Sequence, residues 1–324
     1  MSYKNLERLQ IPFLNIWIYC CVFKKIFRNI TLTLTQYISM LRKILFILLL
    51  PIVVSAQKHH EVGIFAGTSS YYGDLQDKLF PEGGYRACGG LTYKYFPHPS
   101  VGFRFGATYA SLYGADSLSA SPAVKRRNLN FQTNIFEASA GIEANMIPVD
   151  FDEYKFSPYA FAGIALFYYN PYTMGNNDEK VYLRPLSTEG QGLRQYPDRR
   201  VYSLVNVGFP LGFGLKTLIG NKVLISTEIG FRYTATDYLD DVSRSYVNMD
   251  TLFKYKGKQS VDLSYRTDEL PNWDGNYPND KFVRGDNMKT DWYWFAGINI
   301  AIYFDAFGNP LRSLKTRCPR RIFR

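Results

Sequence analysis

Trp292-Tyr293-Trp294-Phe295-Ala296-Gly297-Ile298-Asn299-Ile300-Ala301-Ile302-Tyr303-Phe304 is the most regular stretch of this sequence, and its period is two. On an extended chain Trp292, Trp294, Ala296, Ile298, Ile300, Ile302 and Phe304 share one face, and Tyr293, Phe295, Gly297, Asn299, Ala301 and Tyr303 the other. The first face is wholly apolar and the second is mixed, so the stretch reads as a β-strand between two different environments.

The same alternation recurs upstream. In 223–233, Val223, Ile225, Thr227, Ile229, Phe231 and Tyr233 point one way and Ser226, Glu228, Gly230 and Arg232 the other, so the charges keep to one parity. In 205–215, Val205, Val207, Phe209, Leu211, Phe213 and Leu215 oppose Asn206, Gly208, Pro210, Gly212, Gly214 and Lys216; Pro210 is a blemish for a paired strand because it has no amide hydrogen. Segments 101–109 and 85–95 repeat the scheme. Weaker patterns cover 61–68, 129–144 and 158–169, the last too uniformly apolar for its faces to be assigned. The count is eight, and no sustained 3.6-residue stripe accompanies it.

Alternation alone would also suit a soluble sandwich, and loop length discriminates. Short connections lie at 97–99, 147–157 and 220–221; long ones lie at 69–84, 114–128, 170–202 and 236–291. Short periplasmic turns alternating with long outer loops are the habit of membrane barrels. A row of Val, Ile, Phe and Trp on the outside would aggregate in water but is what lipid requires. The expected fold is all-β: an eight-stranded antiparallel transmembrane β-barrel over 57–304, with outer-membrane lipid as its first partner.

Composition agrees. Of 324 residues 46% are hydrophobic and 17% aromatic but only 20% charged, too apolar for a disordered chain. The formal charge of +10 would suggest nucleic acid, but much of it sits at the amino terminus. Met40-Leu41-Arg42-Lys43, an apolar run over 44–54 and Val54-Ser55-Ala56 have the form of a secretory signal peptide, 40–56, with cleavage expected after Ala56. Residues 1–39 fit poorly before such a signal and read as a spurious upstream extension, with translation starting at Met40. Removing 1–56 takes away seven basic residues and one acidic residue, leaving 31 against 27 over 268 residues. No nucleic-acid partner is expected.

The inward positions collect Arg86, Lys94, Arg104, Lys216 and Arg232 with Glu137, Glu143 and Glu228. An ion path and a satisfied polar core are both compatible with this set, and the narrow lumen of eight strands favours the core. Asp237, Asp240 and Asp241 could offer oxygen ligands to calcium, but they lack the spacing of a calcium loop, and a hydrogen-bonded turn is the safer reading. No metal or cofactor is expected. With His59, His60 and His98 the only histidines after the signal, and no nucleophile beside the carboxylates, no catalytic residue is assigned. Gly208, Gly212 and Gly214 lie inside a strand with no helix following, which is the wrong context for a nucleotide loop. Cys88 and Cys318 are the only cysteines after the signal, too few for a disulfide scaffold. The aromatic residues of the longest loops, Trp273 among them, suit either a glycan or protein platform or the membrane interface. After the last strand, Arg312, Lys315, Arg317, Arg320, Arg321 and Arg324 face a single acid, a basic periplasmic tail over 305–324 able to grip an acidic partner.

Two segments carry a resemblance. Ser70-Tyr71-Tyr72-Gly73-Asp74-Leu75, after the first expected strand, and Phe231-Arg232-Tyr233-Thr234-Ala235-Thr236-Asp237-Tyr238-Leu239-Asp240-Asp241-Val242-Ser243, after the seventh, resemble signatures of the PorG-like outer-membrane β-barrel family of the Bacteroidetes. The motif residues are Tyr71, Tyr72, Gly73, Asp74, Asp237, Tyr238, Asp240 and Asp241. The resemblance implies a non-enzymatic component of the type IX secretion system, associated with periplasmic ring lipoprotein and partner subunits and needed for cargo export and gliding motility. A small porin-like or ligand-binding barrel of unrelated role and an outer-membrane hydrolase are the alternatives.

Overall fold

Eight long strands run up and down in chain order: β1 (His59–Tyr72), β2 (Arg86–His98), β3 (Val101–Ala115), β4 (Asn130–Asn145), β5 (Phe156–Tyr168), β8 (Val205–Ile219), β9 (Val223–Thr234) and β10 (Trp292–Asp305). Each is antiparallel to the next, and β10 returns to β1 from Tyr72↔Trp292 to His59↔Asp305, which closes the sheet into a barrel with no free edge. The computed structural model describes residues 59–147, 156–175, 178–220, 222–271, 273–280 and 282–305. The expected signal peptide, the segment before it and the basic tail lie outside the described residues.

Parity decides which side each residue faces. Ile64, Leu91, Leu211, Phe213, Ile298, Ile300 and Ile302 lie exposed on the outer wall, Ile64 and Leu91 at 64% each, while their strand neighbours are buried inside. A continuous apolar belt around a closed sheet is stable only in hydrocarbon, so the barrel spans a membrane. Aromatic rings collect at both rims of the belt. Tyr233 meets Trp292 edge to face at 5.1 Å near the outer end, and His60 stacks on Phe304 at 5.5 Å near the periplasmic end. Among the described residues no helix is long and apolar enough to cross a membrane.

The faces of β5, which composition leaves undecided, are resolved by packing: Tyr159, Phe161, Ala165 and Phe167 are buried inside, and Ile164 and Leu166 face lipid. The rings of Tyr159 and Phe161 fill the lumen because β8 opposite is glycine-rich. A Cβ on Gly214 would overlap the Tyr159 ring, which is the reason for a glycine there. Pro210 has the expected effect. β5 and β8 pair through Ala162↔Leu211 and resume only at Ala165↔Gly208, while β8 and β9 stay paired across Pro210↔Arg232.

The outer loops are more structured than periodicity suggests. A hairpin of β6 (Tyr172–Met174) and β7 (Lys180–Tyr182) stands on β4 through Gln132↔Tyr172. Short helices span Pro122–Arg127, Met249–Lys256 and Lys258–Ser264. The Asn248 side chain caps the second by accepting from the Thr251 amide at 2.8 Å, and Gly257 ends it at φ +84°. β1 also continues to Tyr72, so Tyr71 and Tyr72 belong to the strand rather than to the loop after it.

Candidate functional site: a filled lumen beneath a clasped outer mouth

Glu143 on β4 sits at the centre of the lower lumen. It accepts from Lys94 of β2 at 2.8 Å, Lys216 of β8 at 2.6 Å and Arg104 of β3 at 3.4 Å. Lys216 also reaches Glu61 of β1 at 3.4 Å, Arg104 forks onto Glu228 of β9, and Tyr159 of β5 donates to Glu228 at 2.7 Å. Seven of the eight barrel strands thus contribute to one layer, and β10 joins through Asn299, which accepts from Thr92 of β2 at 3.0 Å. Three carboxylates meet three cations, and the Arg104 guanidinium lies 4.0 Å above the Phe161 ring. Balanced charge and filled hydrogen-bond capacity are what make such burial tolerable.

A second layer lies nearer the outside, where Arg232 of β9 meets Glu137 of β4 at 3.2 Å and Tyr293 of β10 donates to the same carboxylate at 2.7 Å. Between the layers, beside Phe161, Gly163 and Pro210, the open space is about 20 Å³, room for roughly one water. The lumen is plugged by side chains. Of the eight inward charges read from the sequence, Lys94, Arg104, Glu137, Glu143, Lys216, Glu228 and Arg232 enter these layers. Arg86 does not: it is the first residue of β2, at the outer end, with its guanidinium 4.6 Å above the Tyr113 ring. Glu61, Tyr159 and Tyr293 were missed. Glu61 shares parity with Gly63 and Phe65, a signal that assigned faces on β1 would have caught.

At the outer mouth the two motif segments meet. The Tyr71 hydroxyl lies 2.6 Å from Asp240 Oδ2 and 2.9 Å from Asp291 Oδ1, with all three side chains buried. Asp240 Oδ1 accepts from the Val242 amide and Asp291 Oδ2 from the Leu239 amide, each at 2.9 Å. Gly73 belongs here by necessity, since a Cβ would overlap both Asp291 Oδ1 and the Tyr71 hydroxyl. The Asp74 carboxylate accepts the Asp286 amide through both oxygens, at 3.1 and 3.0 Å, and its carbonyl accepts from Arg127 at 2.7 Å. Asp241, in left-handed backbone at φ +66°, accepts from the Thr188 hydroxyl and from the Tyr202 hydroxyl at 2.7 Å. Tyr238 stacks on Tyr202 at 4.8 Å, and Tyr72 faces outward against Trp292.

Buried ion pairs pin the remaining loops. Arg284 donates to Glu189 at 3.0 Å and to the Asp241 carbonyl at 2.7 Å, and Arg127 forks onto Asp116. Asp116, Arg127, Glu189, Arg284 and Asp291 carry no periodic signal, and sequence reading did not find them. Burial pushes the Asp74 and Asp241 carboxyls up to about 6 each and Asp237 up to about 8, and it lifts Asp240 and Asp291 well above the usual carboxylate range. The oxygens of Asp240 and Asp241 are engaged by protein donors. Among the described residues no group of three His, Cys, Asp or Glu side chains is placed to hold a metal ion. Trp273, Tyr277, Tyr265 and Tyr246 form an edge-to-face chain at the outer surface, with successive ring centres 5.7, 5.5 and 5.9 Å apart.

Gly73→Ala is expected to open this clasp without unfolding the barrel. The new methyl group must displace Tyr71 or Asp291, an overpacking that costs about 1–3 kcal/mol. Limited proteolysis of the outer loops should accelerate, while the folded and unfolded forms remain separable by gel mobility. Cleavage at the wild-type rate would contradict the packing at Gly73.

Residues 39–263 match the family described as "Domain of unknown function (DUF6089)". The chain belongs to the DUF6089 family. The matched stretch contains both motif segments and seven of the eight barrel strands. Among curated proteins the sequence finds no match. Among solved structures, this DUF6089 protein is similar to Neisserial surface protein A at 8% identity and TM-score 0.37, over 76% of this chain and 97% of that one. It is also similar to Ail, the attachment invasion locus protein of Yersinia pestis (10% identity, TM-score 0.36, 76% and 99% covered), and to the outer membrane protein OprG of Pseudomonas aeruginosa (10%, 0.35, 78% and 98%). The DUF6089 chain is a closed eight-stranded antiparallel β-barrel with an apolar belt, a polar filled lumen and a folded cap over one end.

Proposed function

We propose that this DUF6089 barrel is a non-enzymatic anchor of the type IX protein secretion machinery, exported by a cleaved signal over 40–56 and contacting periplasmic ring lipoprotein and partner subunits. The observation that carries this reading is the filled lumen. Two charge-balanced layers and a clasped mouth fill the barrel among the described residues, which favours a role in offering surfaces rather than a path. The likeness of its two motif segments to the PorG-like family supplies the secretion role, and those segments build one buried clasp here. The basic tail, with Arg312, Lys315, Arg317, Arg320, Arg321 and Arg324, is the element assigned to the periplasmic partner. It lies outside the described residues.

Mild-detergent pull-down from the native outer membrane tests the reading. Ring subunits should co-purify, and deletion of 312–324 should weaken their recovery. Recovery of the barrel alone would overturn the anchor role. In planar bilayers the purified protein should carry no steady current; a stable open pore would favour the porin-like alternative.

A further inference from the structure

We propose that the outer cap is latched by a proton held among Tyr71, Asp240 and Asp291, so that the clasp closes while the proton is bound and loosens when it leaves in alkaline medium. A phenol has one O–H, yet two carboxyl oxygens lie within hydrogen-bond distance of it, at 2.6 and 2.9 Å. The phenolic hydrogen can be given to one of them. If the other were ionised, it would face a lone pair of the phenol oxygen at contact distance with no hydrogen between. The geometry therefore calls for a second hydrogen, carried by one of the two carboxyls and donated to the phenol oxygen.

The surroundings keep that hydrogen in place. The other hydrogen bonds of the pair come from the uncharged Val242 and Leu239 amides. The carboxyls acting on it are Asp74 in the loop after β1 and Asp237 in the loop after β9, which are in turn flanked by Glu189 of the loop before β8 and Asp286 of the approach to β10. The nearby guanidiniums of Arg127 and Arg284 are engaged by Asp116 and Glu189. Burial first, and these carboxylates second, hold Asp240 and Asp291 un-ionised far into the range where free aspartate is charged.

The sign follows from linkage. The closed clasp binds the proton more tightly than an opened, hydrated one, so closure is fully supported at low pH and loses support as pH rises through the closed-state value. Three segments part together when it goes, because the shared proton joins the end of β1, the loop after β9 and the residue before β10.

The test uses the full chain folded in lipid vesicles, with limited proteolysis of the outer loops from about pH 5 to 10 and protease activity normalised on an unstructured peptide. Wild type should be cleaved up to about tenfold faster per pH unit between the opened-state and closed-state values, the slope for loss of one proton, and the rate should level off above the closed-state value. Asp240→Asn and Asp291→Asn each supply a permanent N–H to the phenol oxygen and should flatten the profile. A flat wild-type profile, or Asn variants that keep the wild-type slope, would overturn the proposal. If a variant fails to fold, infrared spectroscopy of the wild type decides. The carbonyl band of an un-ionised carboxylic acid should persist at pH values where free aspartate is fully charged and be lost over the same interval in which cleavage accelerates. Its absence below that interval removes the latch.

Discussion

Glu143→Gln is expected to lower the stability of the folded barrel by about 3–5 kcal/mol, the range for breaking a buried ion pair from one side. Glutamine keeps the volume and shape, so packing cannot account for the loss. What goes is the negative charge against which Lys94, Lys216 and Arg104 are set at 2.8, 2.6 and 3.4 Å. Glu61 and Glu228 then face three buried cations alone, in a lumen whose open space between the layers is about 20 Å³, too little for the water that would solvate the excess. Urea titration in lipid vesicles, read by the mobility difference between folded and unfolded barrel, measures the change. Adding Lys94→Met to Glu143→Gln restores two cations against two carboxylates and should recover a large part of the loss. A single-variant loss below about 1 kcal/mol would mean that the layer is hydrated and the lumen open.

On the outer wall the decisive change is Ile298→Arg. Ile298 lies midway along β10 and is 49% exposed. An arginine facing lipid at that depth is expected to cost about 2–4 kcal/mol, whereas Val101→Arg, at the periplasmic end of β3, should cost about 0–1 kcal/mol. In water both would be ordinary surface substitutions, within about 0.5 kcal/mol of neutral. The depth dependence is the diagnostic, and equal small effects at the two positions would contradict a bilayer around the barrel.

The fold was legible because lipid and lumen impose opposite demands on alternate residues. On β8, β9 and β10 those demands are met by Leu, Ile and Phe on one parity and by Gly, Asn, Lys, Glu and Arg on the other. β5 resisted because its inward side chains are Tyr159, Phe161 and Phe167, aromatic like the residues of a lipid face, so hydropathy cannot separate its faces. The three-residue strands β6 and β7 are too short to show a period. Charges inside the lumen could be found by parity, yet their pairing could not, since it depends on the register of strands far apart in sequence. Glu143 meets Lys216 across 73 residues. At the mouth the acidic cluster of Asp237, Asp240 and Asp241 was visible as a hydrogen-bonded turn, whereas Tyr71, Gly73 and Asp74 stood out only through family likeness. Their partners Asp291, Glu189 and Arg284 sit in irregular loops and Arg127 ends a six-residue helix, where no period marks a residue as buried.

The first and last strands lie side by side in the closed sheet, and the contacts of Tyr71 with Asp240 and Asp291 bridge 169 and 220 residues across that seam. Ring closure of this size carries a large entropic barrier and is the late event in assembly. A chain whose final strand has not yet docked presents Tyr71 with no Asp291 beside it, so an unfinished sheet leaves its surface loops cleavable. Protease resistance of the outer loops is therefore expected to appear in the same kinetic step that zips the seam.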